Sequence, residues 1–149
     1  SINQWFSSRA VSCNYGKLWQ SLWNADTEDL SRQLSDLLFD TISYHDYSEN
    51  FYHAFLTGLF AGTEYIVESN YENGLGRSDI VIKDRINRRA AVIEAKAAKG
   101  EDKLMSECEE ALAQIEKRQY AKKVERSGYG KVLWFGMAFY KKKCLVKSK

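Results

Sequence analysis

Proline is absent from the chain, so every helix and strand must stop by glycine, capping or turn chemistry alone. Cysteine is scarce. Cys13, Cys108 and Cys144 are odd in number, far apart and without C-x-x-C spacing. That argues against a disulfide framework and against a structural zinc site, and it fits a reduced, cytoplasmic compartment. No window holds about 18 consecutive apolar residues, so no membrane span is expected, and no secretory leader is visible. No repeat, low-complexity tract or obvious linker interrupts the chain. No helix-turn-helix, zinc finger or RNA-binding signature appears. The chain opens on Ser1 rather than Met, as expected of a fragment or a processed chain.

What is present suffices for one domain. The 149 residues are 44% hydrophobic, enough for a single core, and 28% charged, as in an ordinary soluble protein. The net charge of +2 conceals a polarity. Residues 1–75 hold three Lys/Arg against ten Asp/Glu, a net of −7, and residues 76–149 hold nineteen against ten, a net of +9. A basic half can supply a phosphate-binding surface whose affinity falls with salt. Solvated helix and strand faces account for the same charges equally well.

Hydrophobic periodicity outlines the elements. The segment up to about residue 43 reads as helical, with Leu30, Leu34, Leu37 and Leu38 at helical spacing. Thr27 followed by Glu28 and Asp29 makes a helix start with acids at the positive dipole end. Ser48 can cap a second helix over residues 49–61 that Gly62 ends. That helix is apolar nearly all round, so a buried position is expected. Residues 64–70, 77–83 and 89–97 read as three strands of an antiparallel meander, with turns at residues 73–76 and 84–88. A long helix is expected over residues 102–124, with Leu104, Cys108, Ala111, Leu112 and Ile115 as its core stripe. Gly128 and Gly130 end it. A strongly apolar strand follows over residues 131–139, then a turn and a short strand near residues 144–147. One mixed sheet with helices on its faces buries these patterns.

The chemistry centres on the second and third of these strands. Side chains two apart in a strand share a face. Glu94 and Lys96 therefore project together, opposite to Ile93 and Ala95, and Asp79 shares its own face with Val81. Pairing of the two strands as a hairpin can lay Asp79 beside Glu94, although the register is not fixed by sequence. Two neighbouring carboxylates repel unless neutralised. A divalent cation such as Mg²⁺, which takes oxygen ligands and keeps several waters, does so, and the carbonyl of Ala95 can add a third oxygen. Lys96 can orient the attacking water or neutralise developing charge. These parts suffice to hydrolyse a phosphodiester. An ordinary Glu-x-Lys pair on an exposed strand, with an incidental Asp upstream, has the same spacing.

The runs ENFYHAFLTGLFAG, ESNYENGLGRSDIVIKD, AAVIEAKAA, EEALAQIEKRQYA and VLWFGMAFYKKKCLV resemble, in this order, the nuclease domain found after AAA-type ATPase-like modules in many bacteria. That domain belongs to the PD-(D/E)XK superfamily. The resemblance covers residues 25–147 approximately. It implies an α/β, restriction-endonuclease-like core: a central mixed sheet in the order α-β-β-β-α-β, flanked by helices, with extra N-terminal helices. Residues 1–149 are then one domain, with 1–45 as a helical extension and 46–149 as the nuclease core.

The resemblance also implies roles. Asp79 and Glu94 match the metal-binding acids and Lys96 the catalytic lysine. Glu49 matches a helix-borne glutamate that helps bind metal, although an acid at a helix N-terminus is favourable in itself. His53 stands in the YH pair, as a substrate contact, a group behind the metal ligands or a satisfied core histidine. Gln114 and Tyr120 match positions on a helix that borders the site and contacts the substrate. Gln114, at the margin of the apolar stripe, can reach it, and packing is the simpler role for Tyr120. Gly74 and Gly76 permit the tight backbone that leads to Asp79. Arg77 shares a face with Asp79 and can hold a phosphate or pair with Glu72 or Glu94. Ser78 replaces the proline of the superfamily's name motif.

The function so implied is a Mg²⁺- or Mn²⁺-dependent nuclease acting on DNA, with RNA as the lesser expectation. The alternative is a silent nucleic-acid-binding or regulatory module of an AAA-type ATPase. The ATPase-like module itself is missing, so the chain is expected to be a piece of a larger protein or a stand-alone relative. Trp19, Trp23 and Trp134 can serve a homodimer surface or the core.

Overall fold

The computed structural model describes residues 15–41, 49–72 and 77–149. The expected Ser48 cap, the glycine turn with Gly74 and Gly76, and the side chains of Glu49, Glu72 and Arg77 lie outside the described residues. The element order is α1 (Gly16–Trp23), α2 (Thr27–Thr41), α3 (Glu49–Phe60), β1 (Ile66–Glu72), β2 (Arg77–Asp84), β3 (Arg89–Ala97), a 3₁₀ turn (Glu101–Lys103), α4 (Leu104–Arg118), α5 (Tyr120–Arg126), β4 (Lys131–Tyr140) and β5 (Lys143–Ser148). The expected α-β-β-β-α-β order runs from α3 to β4.

The five strands form one sheet in the order β1-β2-β3-β4-β5. Three pairings are antiparallel, and β3 pairs with β4 in parallel. A parallel pair needs a crossover, which α4 and α5 supply. Strand alternation then sorts two layers. Ile80, Ile82, Ala91, Ile93, Phe135, Met137 and Phe139 face the core made with α1, α2 and α3. Val81, Ala90, Val92 and Trp134 face Ile115 and Val124 of α4 and α5. Trp23 is buried, and Trp19 and Trp23 stack edge-on against Tyr65. These rings, like Trp134, serve the core.

Three local devices hold this frame. Asp84 is buried at the end of β2. It accepts the backbone N–H of Asn87 at 3.2 Å, the Asn87 amide at 2.8 Å and Arg89 Nε at 2.8 Å, which closes the β2–β3 turn. Burial pushes the Asp84 carboxyl up, and the donors from Asn87 and Arg89 outweigh it, so its pKa lies below the ordinary 3.8. On the outer edge of β5, Ser31 Oγ accepts from Val146 N at 2.9 Å and Ser35 Oγ from Cys144 N at 3.0 Å. Those hydroxyls of α2 occupy edge groups that would otherwise template another strand. Gly136 of β4 lies under α4. A Cβ there would stand 2.4 Å from the Cys108 carbonyl oxygen, so only glycine lets this helix approach so closely.

Three expectations are corrected. The N-terminal helix is two helices, separated at Ala25 (φ 53°), and Asp26 Oδ1 caps the second through Asp29 N at 3.1 Å. The long helix over residues 102–124 is likewise broken. It opens with the 3₁₀ turn, α4 ends at Arg118, and Gln119 takes left-handed backbone (φ 56°) before α5 begins. The first strand is displaced by two residues, to Ile66–Glu72. Gly62 does follow α3 with φ 75°, as expected of a helix-ending glycine.

Candidate active site

The Asp84 turn sets the register of the hairpin. Asp84 opposes Arg89, and counting back along both strands brings Asp79 opposite Glu94. The alternation expected from sequence holds: Asp79, Glu94 and Lys96 lie on the sheet face covered by α4 and α5. Directly opposed residues have Cβ atoms about 5 Å apart, so the two carboxylates are neighbours. Both are buried, with Asp79 6% and Glu94 0% exposed.

Asp79 is held by the joint between α4 and α5. Its Oδ2 accepts the Tyr120 hydroxyl at 2.8 Å and stands 3.5 Å from Arg118 Nη1. Arg118 Nη1 donates to the same hydroxyl at 3.2 Å. Burial pushes the Tyr120 phenol up; the hydrogen bond from Arg118 opposes this and the bond to Asp79 adds to it, with a net rise, so it remains a donor at neutral pH. Tyr120 is thus more than packing. Asp79 Oδ1 is buried and has no hydrogen-bond partner among the described residues. A cleft of about 400 Å³ opens beside Asp79, bordered by Asn70, Val81, Lys83, Tyr120, Lys123 and Ser127.

Lys96 shares the face but is engaged elsewhere. Its ammonium lies 3.1 Å from Glu110 and 3.4 Å from Glu107, both on α4. Gln114, on the same helix, is half-buried. His53 is half-buried on α3, and burial lowers its pKa. The apolar side of α3 packs on the opposite face of the sheet, so that helix does not bring His53 onto the face of the carboxylates. Glu49 stands one turn earlier on α3. The Ala95 side chain points into the α1–α3 core, which leaves only its backbone for the site.

Sequence reasoning missed Arg118, Glu107 and Glu110. Glu107 and Glu110 carried a weak signal as acids three apart on one helix face within a basic half. Arg118 carried none, because its place depends on the break at Gln119.

The donor set fits a hard divalent cation. It consists of carboxylate oxygens, one of them a buried oxygen without a partner, and two adjacent carboxylates need positive charge between them. Among the described residues no group of three or more His, Cys, Asp or Glu side chains that could hold a metal converges. No curated protein and no solved structure matches the chain. Residues 47–149 match the model of the PD-(D/E)XK nuclease superfamily, a span that contains Asp79, Glu94 and Lys96 on their two strands, and the chain belongs to that superfamily.

Proposed function

We propose that the chain is a metal-dependent nuclease that hydrolyses phosphodiester bonds of DNA, or of RNA, with residues 46–149 as its core. The observation that carries this reading is the Asp79–Glu94 register on adjacent strands, with Lys96 on the same face. Asp79, Glu94 and the Ala95 carbonyl are the groups that would hold Mg²⁺ or Mn²⁺, with Glu49 added on the resemblance alone, since α3 packs on the opposite face. Such an ion, when bound, acidifies water and stabilises charge on a phosphoryl oxygen. The carboxylates fix its position. Lys96 neutralises charge that develops on the phosphate, once its ammonium turns from Glu107 and Glu110 toward the substrate. Arg77, Gln114 and Tyr120 are candidate substrate contacts, of which Tyr120 borders the cleft beside Asp79; His53, on α3 across the sheet, is left as a packing residue.

The test is cleavage of plasmid DNA, single-stranded DNA and RNA with and without Mg²⁺ or Mn²⁺. Wild type is expected to cut only with metal, and Lys96→Ala to lose about 10²- to 10⁴-fold in rate. Equal rates for the two proteins would remove Lys96 from the chemistry. A second reading is favoured by one observation, the double ion pair that holds Lys96 on α4. It makes the chain a silent nucleic-acid-binding module. Nucleic-acid binding with no cleavage under any metal would support it.

A further inference from the structure

The joint between α4 and α5 does something that a continuous helix cannot. Residues two apart on an α-helix do not face each other, yet Arg118 and Tyr120 both meet Asp79 Oδ2, at 3.5 Å and 2.8 Å. They converge because Gln119 between them takes φ 56°, a left-handed backbone that residues other than glycine seldom adopt. Two bonds secure the turn: Gln119 N donates to Glu116 O at 3.1 Å, and Lys123 N donates to Gln119 O at 3.2 Å. Tyr120 then links the other two groups, since its hydroxyl donates to Asp79 and accepts from Arg118.

This arrangement puts a fixed positive charge on the carboxylate that a metal ion would need. The guanidinium stays charged at every physiological pH, and its side chain is only 24% exposed, so solvent and salt screen it little. A divalent cation on Asp79 and Arg118 at 3.5 Å from the same carboxylate would repel each other. We propose that Arg118 is a resident counter-cation of Asp79 that an arriving divalent metal displaces, so that the joint at Gln119 sets the metal affinity of the site. This rests on the reading of Asp79 and Glu94 as metal-binding acids. The cleft beside Asp79 is the open approach to that carboxylate, and the buried Oδ1 is an oxygen ready for the ion.

The test is calorimetric titration of the full chain with Mn²⁺ at fixed ionic strength. Removing the charge in Arg118→Ala, and in Arg118→Gln, which keeps much of the length and hydrogen bonding, is expected to tighten Mn²⁺ binding about fivefold or more. Arg118→Lys, which restores the charge, is expected to return toward the wild-type affinity. A purely structural role would not separate Lys from Gln in this way. Thermal melts show whether each variant is folded, and should Arg118→Ala melt early, the Gln and Lys pair carries the comparison alone. Unchanged or weaker binding in folded Arg118→Gln overturns the proposal, as does Arg118→Lys binding as tightly as Arg118→Gln. If wild type binds Mn²⁺ and the neutral variants bind it equally, only the role of Arg118 falls. If none of the proteins binds Mn²⁺, the metal-binding reading of Asp79 and Glu94 falls with it.

Discussion

Glu94 has no exposed surface and Asp79 almost none, so each side chain that touches this pair has a disproportionate effect on it. Lys96 is the residue whose loss is expected to separate the proposed chemistry from stability. Its partner Glu110 is mostly exposed and Glu107 partly so, and ion pairs of that kind contribute about 1 kcal/mol or less. Lys96→Ala is therefore expected to lose cleavage while its melting temperature moves by only a few degrees, as thermal denaturation will read. The described cysteines are excluded from the chemistry. Burial pushes the Cys108 thiol up to about 11 and the buried Cys144 thiol well above its usual value, and a protonated thiol is a poor nucleophile. Mass spectrometry after iodoacetamide treatment at pH 8 is expected to find Cys108 and Cys144 unmodified in the folded protein and modified in denaturant. At this scale Glu94 and Lys96 were legible as neighbours on one face because strand alternation decides it, and Asp79 joined them only through the hairpin register. Arg118, Glu107 and Glu110 were not, because their contacts cross from α4 to β2 and β3, and no periodicity encodes how a helix lies over a sheet.

The hairpin of β2 and β3 is the element that makes the site, and its turn is built on Asp84. Asp84→Ala leaves the Asn87 and Arg89 donors without their acceptor and is expected to cost roughly 1–3 kcal/mol in denaturant unfolding. The pH dependence follows from its lowered pKa. A carboxyl whose folded pKa lies below the unfolded value stabilises the fold at pH above that unfolded value, near 3.8. The contribution disappears as pH falls through the folded value. Wild type should thus lose more stability than Asp84→Asn between pH 6 and pH 3 in parallel melts. Gly136 acts at a second element contact. Gly136→Ala drives a methyl into the Cys108 carbonyl, so α4 must lift from β4, at an expected cost of about 1–3 kcal/mol by the same unfolding measurement. The bounds of β3 were legible because its apolar run is flanked by polar turns. The division of α4 from α5 was not, since neither glycine nor proline marks it and glutamine has no special preference for left-handed backbone. Tertiary contacts of Tyr120 and Arg118 with Asp79 accompany the turn there.

Across the whole molecule the sheet divides labour. One face carries the larger core with α1, α2 and α3, and the other carries a smaller apolar cluster together with Asp79, Glu94 and Lys96 beneath α4 and α5. The α-β-β-β-α-β order was readable because each element had a clear period, and the parallel β3–β4 pair follows from the helix between them. The placement of α3 on the face opposite the carboxylates was not readable, because an almost wholly apolar helix has no polar side to orient it. The proposed function calls for a basic nucleic-acid surface, and Lys83 and Lys123 border the cleft beside Asp79. Fluorescence anisotropy with labelled DNA is expected to show affinity that falls linearly on a log–log plot against salt, and an affinity indifferent to salt would exclude that surface.

The proposed shared grip of Asp79 and Glu94 on one ion is tested most directly by diffraction from crystals soaked in Mn²⁺, read by anomalous scattering. A single peak within coordination distance of both carboxylates, lost in Asp79→Asn, is the expected result. Full Mn²⁺ occupancy elsewhere with no peak between them, or carboxylates on opposite faces of the sheet, would contradict it.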